Sequence, residues 1–182
     1  MTVRITTRAL AVAALTLPLA FALPVQAAGS HGHGNESHAG IPGNKSNVTR
    51  TIKVMMYDNY YEPEAISVRE GETVKFVITN AGELVHEFNI GTPDAHHAHA
   101  PEMQMMVDHG ILEADKINWE AAKKMQKEMG HGMHEEPNSA LLEPGKTAEI
   151  VWQFPDHADI EFACNVPGHY DAGMAGEIEL TH

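Results

Sequence analysis

From Val48 onward, short runs of alternating apolar and polar residues recur, separated by turn residues. Val74, Phe76 and Ile78 share one parity within Thr73–Asn80, as do Ala148, Ile150 and Trp152 within Lys146–Phe154. Successive side chains of a strand point to opposite faces, so such runs predict strands with one buried face. Similar segments lie at Thr49–Tyr57, Ala65–Val68, Leu84–Ile90, Ile160–Cys164 and Glu177–Leu180, with turns at Glu70-Gly71 and Pro144-Gly145. About seven short strands with turn signals between them predict an all-β protein, a β-sandwich.

Three stretches break this rhythm. Residues 92–139 are too long for a plain connection, so they should hold structure of their own or carry a function. Within them, Ile117, Ala121 and Met125 recur at four-residue spacing, which predicts a helix over Lys116–Met129, capped by Asp115 and stopped by Gly130. Residues 28–47 are Gly-, Ser-, His- and Asn-rich and read as a flexible leader. Residues 1–27 begin with Arg4 and Arg8, continue apolar from Ala9 to Leu23, and end in Val25-Gln26-Ala27. That order predicts a secretory signal peptide cleaved after Ala27 or Ala28. As a membrane anchor the run is too short and holds Pro18 and Pro24. One domain, residues 48–182 with the insertion at 92–139, is expected to follow.

Composition sharpens the picture. Loss of Arg4 and Arg8 with no acid moves the formal charge from −13 to −15. A surface this acidic repels nucleic acid and anionic lipid and suits cations or basic partners. With 13 histidines and 10 methionines, metal is the first cation to consider. The single cysteine, Cys164, excludes an internal disulfide. In an exported chain a metal would protect such a thiol; the plainer reading is a buried structural cysteine.

The sharpest chemical signal runs from Cys164 to Met174, where a thiolate, the imidazole of His169 and a thioether fall within eleven residues. The loop enters from one predicted strand and leaves into another, and Pro167, Gly168 and Gly173 let it fold back. Soft sulfur donors favour copper, and two histidines, a cysteine and a weak axial methionine form the blue-copper electron-transfer set. The missing histidine must come from elsewhere; His86, after the loop Asn80-Ala81-Gly82-Glu83, is the candidate.

The C-x₄-H-x₄-M loop, with an upstream histidine after an Asn-x-Gly turn, resembles the cupredoxin family over roughly residues 50–91 and 140–181. The resemblance implies a Greek-key β-sandwich with one type 1 copper. By position it implies His86 and His169 as imidazole ligands, Cys164 as thiolate and Met174 as the long axial ligand. Glu87 departs from the Asn common after the first histidine in plastocyanin- and azurin-like members, which alters the hydrogen bonding around the ligands. His86-Glu87-Phe88 is instead similar to exported cupredoxins associated with copper tolerance.

A second, compositional signal lies in the insertion: His96, His97, His99, His109, His131 and His134, with Met103, Met105, Met106, Met125, Met129 and Met133. Thioethers select Cu(I) and imidazoles accept either oxidation state, so these are candidates for additional copper. Packing of Met125 and Met129 on the sandwich is the competing account. The leader adds His31, His33 and His38. Three functions are therefore in play: periplasmic copper tolerance by binding, buffering or redox handling of copper; a soluble electron carrier with a redox partner protein; and a copper enzyme with a second site in the insertion. The six insertion methionines favour the first. A lone His97-Ala98-His99 pair falls far short of a trinuclear site, and no zinc-protease or serine-hydrolase motif is present. After signal cleavage no membrane insertion is expected, and the oligomeric state stays open.

Overall fold

The computed structural model describes residues 36–129 and 136–182; the predicted signal peptide lies outside them. The described residues form two five-stranded sheets packed face to face, so the expected sandwich is observed. The first sheet is built from β1 (Ile41–Pro42), β2 (Arg50–Tyr57), β3 (Tyr60–Glu62), β5 (Thr73–Asn80) and β8 (Thr147–Gln153), in the order β1-β8-β5-β2-β3. The second is built from β4 (Ala65–Arg69), β6 (His86–Gly91), β7 (Ser139–Leu142), β9 (Ile160–Ala163) and β10 (Ala175–Thr181), in the order β4-β10-β9-β6-β7.

Register follows the apolar parity. Ile52 and Val54 of β2 face Phe76 and Ile78 of β5 in a parallel pair. Phe76 and Val74 then face Ile150 and Trp152 of β8 in an antiparallel one. A slip of one residue would turn every one of these side chains to solvent, so burial selects the pairing. Between the sheets, Tyr61 meets Phe162 edge-on at 5.0 Å, and Phe88 lies 5.3 Å from Phe162. The Tyr61 hydroxyl donates to the Glu87 carbonyl oxygen at 2.6 Å, which satisfies the polar end of a buried ring.

Two sequence expectations are corrected. Residues 36–47, counted with the flexible leader, carry a helical turn α1 (Glu36–Ala39), β1 and a 3₁₀ turn at Lys45–Asn47. Ala39 is buried, and its carbonyl oxygen accepts from the Trp152 indole at 2.9 Å. Strand β1 covers the backbone edge that β8 would otherwise leave open. In the insertion the expected helix begins three residues later, as α3 (Trp119–Met129). Asn118, not Asp115, caps it by accepting from the Ala121 N–H at 3.0 Å. Ile117 lies outside the helix, buried in a bridge to Leu112.

The longer helix α2 (Pro93–Asp108) was not foreseen, because its apolar residues show little helical periodicity. Its start did carry a signal: Thr92 accepts from the Ala95 N–H at 3.2 Å and Pro93 follows as the first helical residue. Met103 and Met106 of α2 and Met125 of α3 pack with Ile111, Leu112, Ile117 and Val85 in a second small core. Val85 also donates to the Ala114 carbonyl at 2.7 Å, tying the insertion to the residue before His86.

At the far end of the sandwich, Glu72 accepts from Thr49 Oγ1 at 2.6 Å, Arg50 Nε at 3.0 Å and the Arg69 N–H at 2.9 Å. Burial alone would raise its carboxyl, but Thr49, Arg69 and Arg50 together hold it below the ordinary value. A lowered folded-state value stabilises the fold above the unfolded carboxyl range, near ~4.3, and the contribution is lost as pH falls through the folded value. Glu72→Gln is expected to cost about 1–2 kcal/mol at pH 7. In urea unfolding the gap between wild type and variant should shrink towards pH 3; a gap independent of pH would refute the assignment.

Candidate metal centre

The loops at one end of the sandwich are built before any ligand is considered. Asn80 donates from Nδ2 to the Leu84 and Leu142 carbonyls at 2.8 and 2.7 Å and accepts from the Gly82 N–H at 2.9 Å. This network turns the chain into β6 with His86 as its first residue. Asp58, from the turn between β2 and β3, accepts from the Glu83 and Leu84 N–H groups at 3.0 and 3.2 Å and meets His86 Nε2 at 2.8 Å. Only glycine fits at position 82, where a Cβ would fall 2.4 Å from Asp58 Oδ1 and 2.9 Å from His86 Nε2. Opposite, the segment after β9 closes on itself: His169 N–H donates to Val166 O at 2.9 Å, Met174 N–H to His169 O at 3.0 Å and Cys164 N–H to Met174 O at 3.1 Å.

These loops bring three predicted residues to one point. His86 Nδ1 lies 3.3 Å from His169 Nδ1, and Cys164 Sγ lies 3.3 Å from His169 Nδ1 and 4.0 Å from His86 Nδ1. A metal about 2.0–2.3 Å from two nitrogens and one sulfur in a plane needs donor edges of about 3.5–3.8 Å. The observed edges bracket that range, so the donor set fits a metal ion. Asp58 on His86 Nε2 directs the proton to that nitrogen and leaves the Nδ1 lone pair towards the common point. Met174 is fully buried in the same core cluster as Cys164. His86 is fully buried, whereas His169 is half-buried.

Burial pushes the Cys164 thiol up to about 12; the Glu87 N–H, 3.3 Å from Sγ, opposes this and the Glu87 carboxylate adds to it. A cation must therefore displace the thiol proton. Burial and the neighbouring His86 lower His169. Asp58 is lowered first by its hydrogen bond to His86.

Glu87, flagged in the sequence as the departure, is 3% exposed. Its carboxylate accepts from Ser139 Oγ at 2.6 Å, Asn165 Nδ2 at 2.8 Å and Asn165 N–H at 3.2 Å, with His99 Nε2 at 3.6 Å. Burial alone would raise this carboxyl, but His99, Ser139 and Asn165 bring it down to about 2. For His99, burial opposes the charge, yet Glu102 and Glu87 raise it to about 10. His96 is buried on the same helix, and its Nδ1 donates to Asn165 Oδ1 at 3.2 Å. The insertion thus grips the residue that follows Cys164. Asp58, Asn165 and Ser139 were not legible as site residues, because each reaches its partner across a long stretch of chain: Asp58 to His86 over 28 residues, Asn165 to Glu87 over 78 and Ser139 to Glu87 over 52.

The other insertion candidates disperse. His97 and His109 are exposed, Met103, Met106 and Met125 are core residues, and Met105 is partly buried against them. His131, Met133, His134 and the side chain of Met129 lie outside the described residues, as do His31 and His33; His38 is exposed. His99 alone of the set joins a cluster of possible metal ligands among the described residues.

A model of the cupredoxin-like domain matches residues 14–97, a span that includes His86 but ends before Cys164. The copper-resistant cuproprotein CopI of Pseudomonas aeruginosa is 40% identical over 183 residues, covering 95% of this chain and 97% of that protein. CopI of Rubrivivax gelatinosus is 38% identical over 152 residues, covering 83% and 78%. Among solved structures, auracyanin B superposes with a TM-score of 0.57 at 18% identity, covering 80% of this chain and 99% of that one, a likeness of fold.

Proposed function

The chain belongs to the family of copper-resistant cuproproteins, and from that membership we propose that it serves copper tolerance by holding one copper ion at His86, Cys164, His169 and Met174. The observation that carries the assignment is the triangle of His86 Nδ1, His169 Nδ1 and Cys164 Sγ, with Asp58 behind His86. In such a set copper supplies one-electron exchange between its two oxidation states. The protein's part is to keep the donors in place. Backbone hydrogen bonds close the Cys164–Met174 loop, the Glu87 N–H would steady the thiolate, and burial keeps water from both sulfurs. The chain is read as a copper-binding or electron-transfer protein rather than an enzyme. Export to the periplasm rests on the Arg-led apolar start and on the unpaired cysteine. No helix among the described residues is long and apolar enough to cross a membrane.

One observation favours a second reading, a soluble electron carrier. His169 is only half-buried while His86 is fully buried, so the His169 ring offers a redox partner protein an electron path to the centre. Copper titration of the processed protein tests the centre: intense visible absorbance should saturate at one equivalent. No intense band at any stoichiometry would refute it. A copper-growth assay separates the readings. Cells lacking the protein should lose tolerance and recover it with wild type but not with Cys164→Ser; unchanged growth would favour the carrier.

A further inference from the structure

Beyond Glu87, the insertion gathers a second group of metal-ligating side chains. Ligand atoms of His99, Glu102 and Glu136 all lie within 4.8 Å of one another. His99 and Glu102 stand three apart on α2, on one helix face, and Glu136 comes from the segment leading into β7. The His99 ring divides its nitrogens: Nδ1 is 3.3 Å from Glu102 Oε2, and Nε2 is 3.6 Å from the buried Glu87 Oε1. A histidine with one nitrogen towards a ligand group and the other towards a carboxylate has the arrangement in which protein histidines hold metals. The three side chains are partly exposed and border a groove of about 630 Å³ whose wall includes Met103, Met106 and Trp119. An ion can therefore reach them from solvent.

We propose that His99, Glu102 and Glu136 form a second metal site, distinct from the His86–Cys164–His169 centre, that takes a divalent first-row cation, copper(II) foremost. One imidazole and two carboxylates are harder donors than the sulfur-rich centre, so they suit a divalent ion and discriminate against Cu(I). Copper(II) heads the divalent series at such a set, with zinc(II) behind it. Three protein ligands leave coordination positions open to water, as expected of a site that exchanges its ion. Glu87 joins the two places. Its carboxylate faces His99, its N–H points to Cys164 Sγ, and it holds Asn165, the residue after the cysteine. The arrangement also explains why the metal signal of the insertion is only partly compositional: two of its three ligands are glutamates, invisible to a count of His and Met.

The test uses the processed chain loaded with one equivalent of copper and then titrated with zinc(II), a redox-silent probe, in competition with a chromophoric chelator. His131, His134 and the leader histidines are present in every variant, so the difference between variants is what counts. In H99A/E102Q/E136Q the tightest zinc site should weaken tenfold or more, or disappear, while the visible band of the first centre persists. Should that variant fail to fold, Glu102→Gln alone, on a partly exposed side chain, decides by the same threshold. A smaller change would mean an ion-pair network only and would overturn the proposal. Absence of the visible band in wild type would instead sink the first centre and leave the zinc comparison readable.

Discussion

Cys164→Ser is expected to abolish the intense visible absorbance of the copper-loaded protein and to weaken its tightest copper site by more than ~100-fold, beyond what loss of an outer hydrogen-bond partner costs. The thiolate is the one anionic donor in the triangle. Its sulfur sits 3.3 and 4.0 Å from the two Nδ1 atoms in a fully buried position. Serine keeps the shape but supplies a hard oxygen that stays protonated. A buried hydroxyl costs about 1–3 kcal/mol without a good partner, so the variant should still fold. Circular dichroism and thermal unfolding check that point beside the absorbance titration. A band of undiminished intensity in the variant would make Cys164 structural.

Glu87→Ala should be the most destabilising single change at this end of the molecule, at about 3–5 kcal/mol. Truncation leaves Ser139 Oγ, both Asn165 donors and His99 facing a void in a region where Glu87 is 3% exposed. For a domain of this size that corresponds to a melting temperature lower by roughly 6–20 °C. Glu87→Gln should recover part of the loss, since an amide oxygen still accepts from Ser139 or Asn165 but cannot balance His99. In the copper-loaded protein both variants should shift the visible band, because the Glu87 carboxylate fixes Asn165, the residue after Cys164, and its loss lets the backbone on both sides of the sulfur relax. An alanine variant within 1 kcal/mol of wild type, with an unmoved band, would show that the carboxylate is not what locks the insertion to the centre.

The alternation of Val74, Phe76 and Ile78 and of Ile150 and Trp152 was enough to place two central strands and their inward faces, because a strand's period is written locally. The Cys164–Met174 loop was legible for the same reason: its donors are close in sequence, and hydrogen bonds between near neighbours bring them together. His86 could be nominated from one strand start, but only the packing of two sheets brings its Nδ1 to 3.3 Å from that of His169. Asp58 gave no local sign at all. Its carboxylate finds His86 across 28 residues because the parallel pairing of β2 with β5 puts the β2–β3 turn beside the loop into β6.

The insertion marks the boundary most sharply. Its histidines and methionines invited a single compositional answer, yet the fold sorts them by environment. Met103, Met106 and Met125 fill a small core, His96 bonds Asn165, and His99 joins two glutamates. Residues 36–47 looked unstructured by content and were recruited by an open strand edge and by Trp152. By itself the sequence determined which strands have a buried face and which loop carries the soft donors, since both depend on spacing along the chain. Which carboxylates stand behind the ligands, and what the insertion's side chains do, was decided only by tertiary structure. Desolvation and hydrogen bonding act between groups that are near in space, and they are indifferent to separation along the chain.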